Sequence, residues 1–446
     1  MGKARKRRQK KLSLPPLQTE IESLSHEGRG IARVEGKTTF VHGALPGEDV
    51  MFKFTRTHRR YDEGIVEEVL RVSDSRVEPK CPHFNVCGGC NLQHMEPAEQ
   101  IKFKQSVLLE NLEHIGNVQA EEILEPLTGP VWGYRHKARL GVKNVPKKGR
   151  VLVGFREKFS SFIAPMESCV ILQEKVGESL MNFSDLIAGL SIIDKVPQIE
   201  VAVGDDATAL IFRVLETPTD DDINKLIEFG KEKDFQIYIQ PKGPDTVTLL
   251  YPDHAELSYR LEDHNVDFYF RPNDFTQINV EINKKMINRA IEFLELDGSE
   301  KILDLFCGLG NFTLPISRKV NEIIGVEGDQ ELVERAKQNA ERNDITNAQF
   351  YTADLTQDVT HMPWMEVVPD KVLIDPPRSG AIDVIPQIMK FAPKRIVYVS
   401  CHPATLARDA GVLVNDYGYK MKKAGVMDMF PHTAHVESIA VFDKEK

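Results

Sequence analysis

Three stretches of the chain carry three different patterns of apolar and polar residues. From 14 to 76, short runs are cut by Gly-rich turns. Gly28-Arg29-Gly30-Ile31-Ala32-Arg33-Val34, Thr38–Val41, Asp49–Phe54 and Gly64–Val69 read as strands, with Gly36, Gly43, Gly47 and Pro46 between them. Strands this short at this spacing predict a small closed barrel, a form that often binds single-stranded nucleic acid on one face. Residues 77–95 interrupt the pattern with a cysteine-rich loop, and a helix is expected over Ala98–His114. From about 123 to 265 the pattern is mixed α+β, with strands at Lys137–Val142 and Ala207–Val214 and a helix near Asp221–Lys231.

From Asn279 amphipathic stretches alternate with continuous apolar ones. Glu281–Leu294, Gln330–Arg342 and Pro403–Asn415 are predicted helices; Lys301–Phe306, Glu322–Glu327, Lys371–Ile374, Arg395–Ser400 and Val436–Phe442 are predicted strands. This alternation is the signature of a doubly wound α/β sheet with Rossmann-like order. The expected boundaries fall near 75 and 265, giving segments 12–75, 76–265 and 266–446.

Length agrees: 446 residues suggest two to four domains. With 41% apolar and 28% charged residues a substantial core is expected. No apolar run approaches the roughly 18 residues of a membrane span, and no apolar h-region follows the basic start. Neither a membrane nor a secreted protein is expected, and a cytoplasmic location is.

The net charge of −10 argues at first against a nucleic-acid partner. Its distribution changes that. Residues 1–11 hold seven Lys or Arg and no acid, so the remainder carries 50 bases against 67 acids, or −17. Such a block is either a solvated terminus or an arm that contacts phosphates. A second cluster, Lys53-Phe54-Thr55-Arg56-Thr57-His58-Arg59-Arg60-Tyr61, interleaves bases with aromatics or forms a basic hairpin tip.

Candidate chemistry concentrates in the last segment. The strand Ile302-Leu303-Asp304-Leu305-Phe306 runs into Cys307-Gly308-Leu309-Gly310-Asn311, a glycine turn before a helix. Glu327, seventeen residues after Gly310, ends the next strand, where an acid can accept from two ribose hydroxyls. No third glycine follows, which weakens a dinucleotide reading and suits S-adenosylmethionine, a ligand without a pyrophosphate. Asp354, after a third strand, could accept from an adenine amino group or cap a helix.

Asp375-Pro376-Pro377-Arg378 ends another strand, and the prolines fix the direction of the Asp375 carboxylate. Arg378 stands where methylases of exocyclic amines carry an aromatic residue, which argues against amine methylation. Cys401 sits where a strand meets a helix opened by Pro403. A helix N-terminus is expected to lower a thiol pKa; the alternative is an inert buried cysteine. A thiolate suits methylation at carbon 5 of a pyrimidine, because addition at carbon 6 makes carbon 5 nucleophilic. A base must then remove the carbon-5 proton. Glu437, in an apolar strand where its pKa would be raised, is the candidate; otherwise it is an edge glutamate facing water. His432 and His435 read as structural or substrate contacts rather than metal ligands.

Cys81, Cys87 and Cys90 lie within ten residues, and Cys169 follows 79 positions later. Four thiolates can hold zinc or a 4Fe-4S cluster. Zinc sites usually come as two short-spaced pairs, so this spacing favours iron–sulfur in a closed, structural site.

Taken together, these motifs resemble the class I RNA uracil-5-methyltransferases. The carrying segments are Cys81…Cys87-Gly-Gly-Cys90-x-x-Gln93-His94, Phe275-Thr276-Gln277-Ile278-Asn279, Asp304 through Phe312, Asp375 through Gly380, Ser400 through Asp409, and Asp428 through Thr433. They span about residues 20–446. The resemblance implies an OB-like TRAM barrel at the N-terminus, a central α+β domain with a 4Fe-4S cluster, and a Rossmann-like methyltransferase domain. It implies that Cys81, Cys87, Cys90 and Cys169 hold the cluster. Gln277, Phe306, Asn311, Glu327, Asp354 and Asp375 would line the S-adenosyl-L-methionine site, with Cys401 as nucleophile and Glu437 as base. His402 departs from the Asn common after the cysteine, and Asp354 from an amide found in some relatives. Within the family the cluster motif and TRAM-like region point to 23S ribosomal RNA as the partner of a monomeric enzyme. Transfer RNA is the alternative substrate, and a non-catalytic RNA-binding assembly factor is the alternative of another class.

Overall fold

A computed structural model describes residues 14–445; the basic stretch 1–11 lies outside the described residues. These fall into two compact units. One comprises the residues up to Phe84 with Cys90–Gln100 and His432–Ala434, and the other Asn85–Gly89, Ile101–Pro431 and the C-terminal stretch from His435.

The smaller unit is a six-stranded sheet in the order Leu17–Glu20, Asp49–Thr57, Tyr61–Arg71, Lys37–His42, Gly30–Val34, Ser23–Leu24. Its two outermost strands are consecutive pieces of one stretch, 17–24, so the sheet curls back on itself. Alternating residues fill the interior: Ile21, Ala32, Val41, Val50, Phe52 and Phe54. Lys53–Tyr61 covers the turn between the two longest strands, a basic hairpin tip where His58 stacks on Tyr61 at 4.4 Å.

The larger unit holds two main sheets. A six-stranded one runs Thr248–Tyr251, Gln236–Gln240, Thr208–Arg213, Gln198–Val203, Lys137–Val145, Arg150–Gly154, antiparallel except for the Thr208–Arg213/Gln236–Gln240 pair. The eight-stranded one runs Ala348–Thr352, Glu322–Glu327, Lys301–Leu305, Lys371–Ile374, Arg395–Ser400, Glu437–Lys444, Tyr419–Met427, Glu122–Ile123. Its first five strands are parallel, and Glu437–Lys444 runs antiparallel between two neighbours. Parallel strands covered on both faces read as unbroken apolar runs, and Ile302, Ile323, Val372, Leu373, Ile396 and Val397 are fully enclosed.

Two features depart from the sequence pattern. Tyr419–Met427, not anticipated as a strand, alternates Lys420, Lys422 and Lys423 with buried Met421 and Ala424, and the register shift between Met421 and Lys423 breaks its period of two. The Pro97–Asn111 helix and the Glu122–Ile123 strand lie in the stretch expected to be central. Yet Ile101, Val107, Leu108 and Leu112 pack with Leu303, Val372 and Ile396 in the core of the eight-stranded sheet.

Candidate active site

The carboxyl ends of five neighbouring strands bring the candidate residues to one edge. Leu303 and Asp304 lie near the end of the Lys301–Leu305 strand, paired in register with Ile324-Gly325 on one side and Val372-Leu373 on the other. The chain then turns sharply. Phe306 adopts φ +65°, while Phe306 and Cys307 both donate backbone N–H groups to Val326 O, at 2.8 and 3.1 Å. Gly310 follows at φ +93°, a conformation glycine takes without penalty. Beside Gly308 the space is open: a Cβ there would meet no heavy atom within 4 Å.

Glu327 closes this turn from the next strand. Its carboxylate accepts from Gly308 N at 3.0 Å, Gly328 N at 2.7 Å and Asp329 N at 3.0 Å. Asp304 is enclosed beneath it. Thr313 Oγ1 donates to Asp304 Oδ2 at 2.5 Å, while Oδ1 is buried with no partner. Burial pushes this carboxyl up to about 8, with the negative charges of Asp375 and Glu327 adding to the effect.

Asn311 is held in a reciprocal amide pair with Asn283 (2.9 and 3.1 Å) and accepts from Tyr259 O–H at 2.9 Å. Asp354 is exposed after its strand and accepts from Thr356 N and Oγ1 at 3.0 and 2.7 Å, a local turn that lowers its pKa. It caps a turn, not a helix. Gln277 lies half-buried in the segment before the Val280–Leu294 helix, whose N-cap is Asn279.

Asp375, Cys401 and Glu437 meet because of register. Ser400 pairs with Ser438 across antiparallel strands; Cys401, the first residue past the Arg395–Ser400 strand, and Glu437, the first residue of the other strand, flank that pair, and the charges of Glu437 and Asp375 both reach the thiol. Asp375 follows Ile374, on the strand beside Arg395–Ser400. Burial raises the Glu437 carboxyl to about 8, with Asp375 adding and the charges of Lys104 and Arg378 opposing. Asp375 is raised to about 7 by burial and by the negative charge of Glu327.

The thiol departs from expectation. Burial lifts Cys401 to about 11, with Glu437 and Asp375 acting in the same direction, and only Arg378 among nearby charges favours the thiolate. The helix behind it does not prevail: desolvation and two acids outweigh a dipole worth at most about 2 kcal/mol. His402, the N-cap, accepts from Thr405 N at 3.4 Å.

Two groups escaped the sequence patterns. Lys104, fully buried on the Pro97–Asn111 helix, donates to Asp428 Oδ1 at 2.6 Å and Phe430 O at 2.9 Å, and its charge reaches Glu437. Met427, beside Asp428, is the register partner of Glu437. Arg378 Nη2 donates to His435 Nδ1 at 2.8 Å, and burial with three nearby cations lowers His435 to about 4, leaving the ring neutral. No motif marks Lys104; Arg378 stands out in the sequence for what it excludes, not for a partner.

Cys81, Cys87, Cys90 and Cys169 are each buried. In the smaller unit Cys81 N donates to Gln93 Oε1 at 3.1 Å. In the larger, Gly89 N points at Cys87 Sγ at 3.4 Å and Cys169 N donates to Gly177 O at 3.0 Å. Among the described residues no group of three or more His, Cys, Asp or Glu is assembled as a metal site. No described helix is long and apolar enough to cross a membrane.

The family described as tRNA (Uracil-5-)-methyltransferase matches residues 206–445, and the TRAM domain matches 18–66. The chain is 53% identical over 440 residues to a protein of Alkalilimnicola ehrlichii named 23S rRNA (uracil(1939)-C(5))-methyltransferase RlmD, covering 98% of this chain and 99% of that one. A protein of the same name from Methylococcus capsulatus is 50% identical, with both chains covered completely. Among solved structures, the Pyrococcus abyssi tRNA (uracil-54, C5)-methyltransferase in complex with S-adenosyl-L-homocysteine has the same fold. The TM-score is 0.73 at 24% identity, covering 96% of this chain and all of that one.

Proposed function

The chain belongs to the tRNA (uracil-5-)-methyltransferase family, and from this we infer that it transfers a methyl group from S-adenosylmethionine to carbon 5 of a uridine in 23S ribosomal RNA. The observation that carries the reading is the Ser400–Ser438 register, which brings a thiol and a buried carboxyl to adjoining strand ends, close enough for the Glu437 charge to act on Cys401. The relatives named for 23S ribosomal RNA share half the sequence over nearly its whole length.

The edge suits S-adenosylmethionine, which supplies an electrophilic methyl group when bound. Open space beside Gly308, the Glu327 carboxylate and the unpartnered Asp304 Oδ1 are what a nucleoside ligand would meet. Gln277, Phe306, Asn311, Glu327, Asp354 and Asp375 would line it. The target base must leave its stack to reach this edge. Cys401, its proton given up to solvent, then adds to carbon 6, which loads carbon 5 with electron density; carbon 5 would take the methyl of the bound sulfonium, whose methyl–sulfur bond breaks to leave S-adenosylhomocysteine. Glu437 removes the carbon-5 proton, the 5,6 double bond re-forms, and the bond to Cys401 breaks. Burial favours the protonated thiol, and Arg378 is the nearby charge that favours ionisation.

Cys81, Cys87, Cys90 and Cys169 would hold a 4Fe-4S cluster in a closed, structural site. Four buried thiols, one of them facing a backbone N–H, support the donor set. Absorbance near 400 nm in anaerobically purified protein is expected; a colourless protein with stoichiometric zinc would replace iron in this reading. The functional division is 12–75, 76–265 and 266–446, with the 97–123 segment packed on the last, in a monomer acting in the cytoplasm.

The test is Cys401→Ala with labelled S-adenosylmethionine and 23S fragments, with transfer RNA alongside. Loss of transfer by a factor of about 10⁴ or more is expected. Retained transfer sinks the covalent route, and transfer to transfer RNA alone moves the substrate.

A further inference from the structure

The eight-stranded sheet is acid-lined at its working edge, but a different face of the larger unit carries concentrated base. Residues 137–158 hold eight Lys or Arg (137, 139, 143, 147, 148, 150, 156 and 158) against one acid, Glu157, in a chain where acids outnumber bases 67 to 57. They lie on the hairpin Lys137–Val145/Arg150–Gly154 and the loop that follows it. A solvated hairpin would need nothing more. This one borders a cavity of about 770 Å³, lined by Arg139, Lys143, Lys148, Arg156 and the rings of Phe155 and Phe162. That is within the size range of ligand sites.

Three details separate it from an ordinary charged surface. First, Phe162 is 71% exposed and Phe159 54%, the cost of apolar surface held in water at one loop tip. Second, the tip is fixed. Glu157 N donates to Phe162 O, Ala164 N to Phe155 O, and Phe162 N to Ser160 Oγ. Val86–Gly89 is tied along it through Lys158 N to Val86 O and Gly88 N to Arg156 O, both under 3 Å. Third, Arg139 and Arg150 have acidic partners, Glu200 and Glu167, whereas no ion pair joins Lys143, Lys148 or Arg156 to a described acid. The floor is kept low by Gly141, where a Cβ would fall 2.4 Å from Ile163 Cδ1.

We propose that this groove is an RNA-contact site distinct from the methylation edge, in which Lys143, Lys148 and Arg156 hold phosphates of a single-stranded segment and Phe162 stacks on one of its bases. Cations tracking a backbone beside exposed aromatic rings are how proteins bind single strands without reading sequence. The inference rests on the RNA reading above and adds where the strand is gripped. Because the tip is laced to the segment bearing Cys87, disturbing that segment would misplace Phe162 without touching Cys401.

The experiment uses the full chain and a fluorescein-labelled 23S transcript. Two variants are compared with wild type: Lys143→Gln/Lys148→Gln/Arg156→Gln together, and Phe162→Ala. S-adenosylmethionine affinity, read by calorimetry, stays within about twofold for both. The triple variant binds RNA at least about 10-fold more weakly. Its plot of log affinity against log salt is shallower by about 2, because three fewer phosphates are neutralised at roughly 0.7 each. Phe162→Ala weakens binding about 5- to 100-fold with the slope unchanged. Affinity and slope that match wild type in both variants would overturn the proposal and assign the face to another partner. Cross-linking of wild type to 4-thiouridine-bearing transcript offers a route independent of any variant: adducts within 155–163 support the groove, and none there overturns it. Wild type that binds through the groove but leaves no 5-methyluridine breaks the methyl-transfer reading alone.

Discussion

At the carboxyl ends of the parallel strands in the eight-stranded sheet, acids and a thiol are buried or half-buried; at the turn of the hairpin Lys137–Gly154, Lys143, Lys147 and Lys148 stand in water. The first region shifts Asp304, Asp375, Glu437 and Cys401 all toward their neutral forms, with burial as the largest cause each time. On the second, Lys143, Lys148 and Arg156 are exposed, so water supports their charge. The difference is what two tasks require. Proton transfer needs groups poised near the working pH, which desolvation supplies. Holding a polyanion needs permanent charge that can trade counterions for phosphates, which solvent exposure supplies.

The sharpest way to break the comparison is Glu437→Gln. If the buried acid takes the carbon-5 proton, turnover falls about 10²- to 10⁴-fold. The RNA adduct on Cys401 should then accumulate and run as a shifted band under denaturing conditions; full turnover would remove Glu437 from the chemistry. Stability should move the other way. The folded state holds the Glu437 proton up to about 8, against 4.5 for the free side chain. Folded protein therefore binds more protons than unfolded chain between those values, and stability is lost as pH rises through that window. Gln removes this loss. Urea melts should show the variant gaining on wild type by about 2 kcal/mol between pH 6 and pH 8. A constant difference would mean the carboxyl is not held neutral.

Lys104 is the next test, because it is a cation treated as the acids are. Lys104→Met leaves Asp428 buried without its partner and should destabilise by about 3–5 kcal/mol. Lys104→Met/Asp428→Leu should recover part of that. Since the Lys104 charge opposes the upward shift of Glu437, the double variant should also move the acidic limb of the rate profile to higher pH. An unmoved limb would make Lys104 a purely structural lysine.

How far sequence reaches differs between the same two regions. Glu322–Glu327, Gln330–Arg342, Lys371–Ile374 and Arg395–Ser400 have the bounds their patterns predict, because enclosed parallel strands and amphipathic helices leave strong periodic signals. Tyr419–Met427 is hidden by an irregular register. Motifs name the residues at the strand ends, but not their electrostatics. The helix alone predicts a lowered Cys401 thiol, and only three-dimensional burial beside two acids shows it raised. The Lys104–Asp428 pair joins residues more than 300 positions apart, beyond any periodicity. The groove is invisible for a similar reason. Lys143 and Arg156 belong to no single motif, and only the antiparallel pairing of Lys137–Val145 with Arg150–Gly154 brings the strand of one beside the loop of the other.

The smallest expected effect concerns the block at 1–11, whose seven bases and no acid would add a second group of phosphate contacts to that of the hairpin. Deleting these residues should flatten the salt dependence of RNA affinity while leaving S-adenosylmethionine binding unchanged. Each phosphate left unneutralised takes roughly 0.7 from the slope on single strands, so even two or three would register. If the deletion and the Lys143/Lys148/Arg156 variant each flatten the slope and the combination flattens it by their sum, two independent groups of phosphates are held. If the combination does no more than the hairpin variant alone, the terminus is a solvated bystander, and the permanent charge that matters for RNA lies on the hairpin.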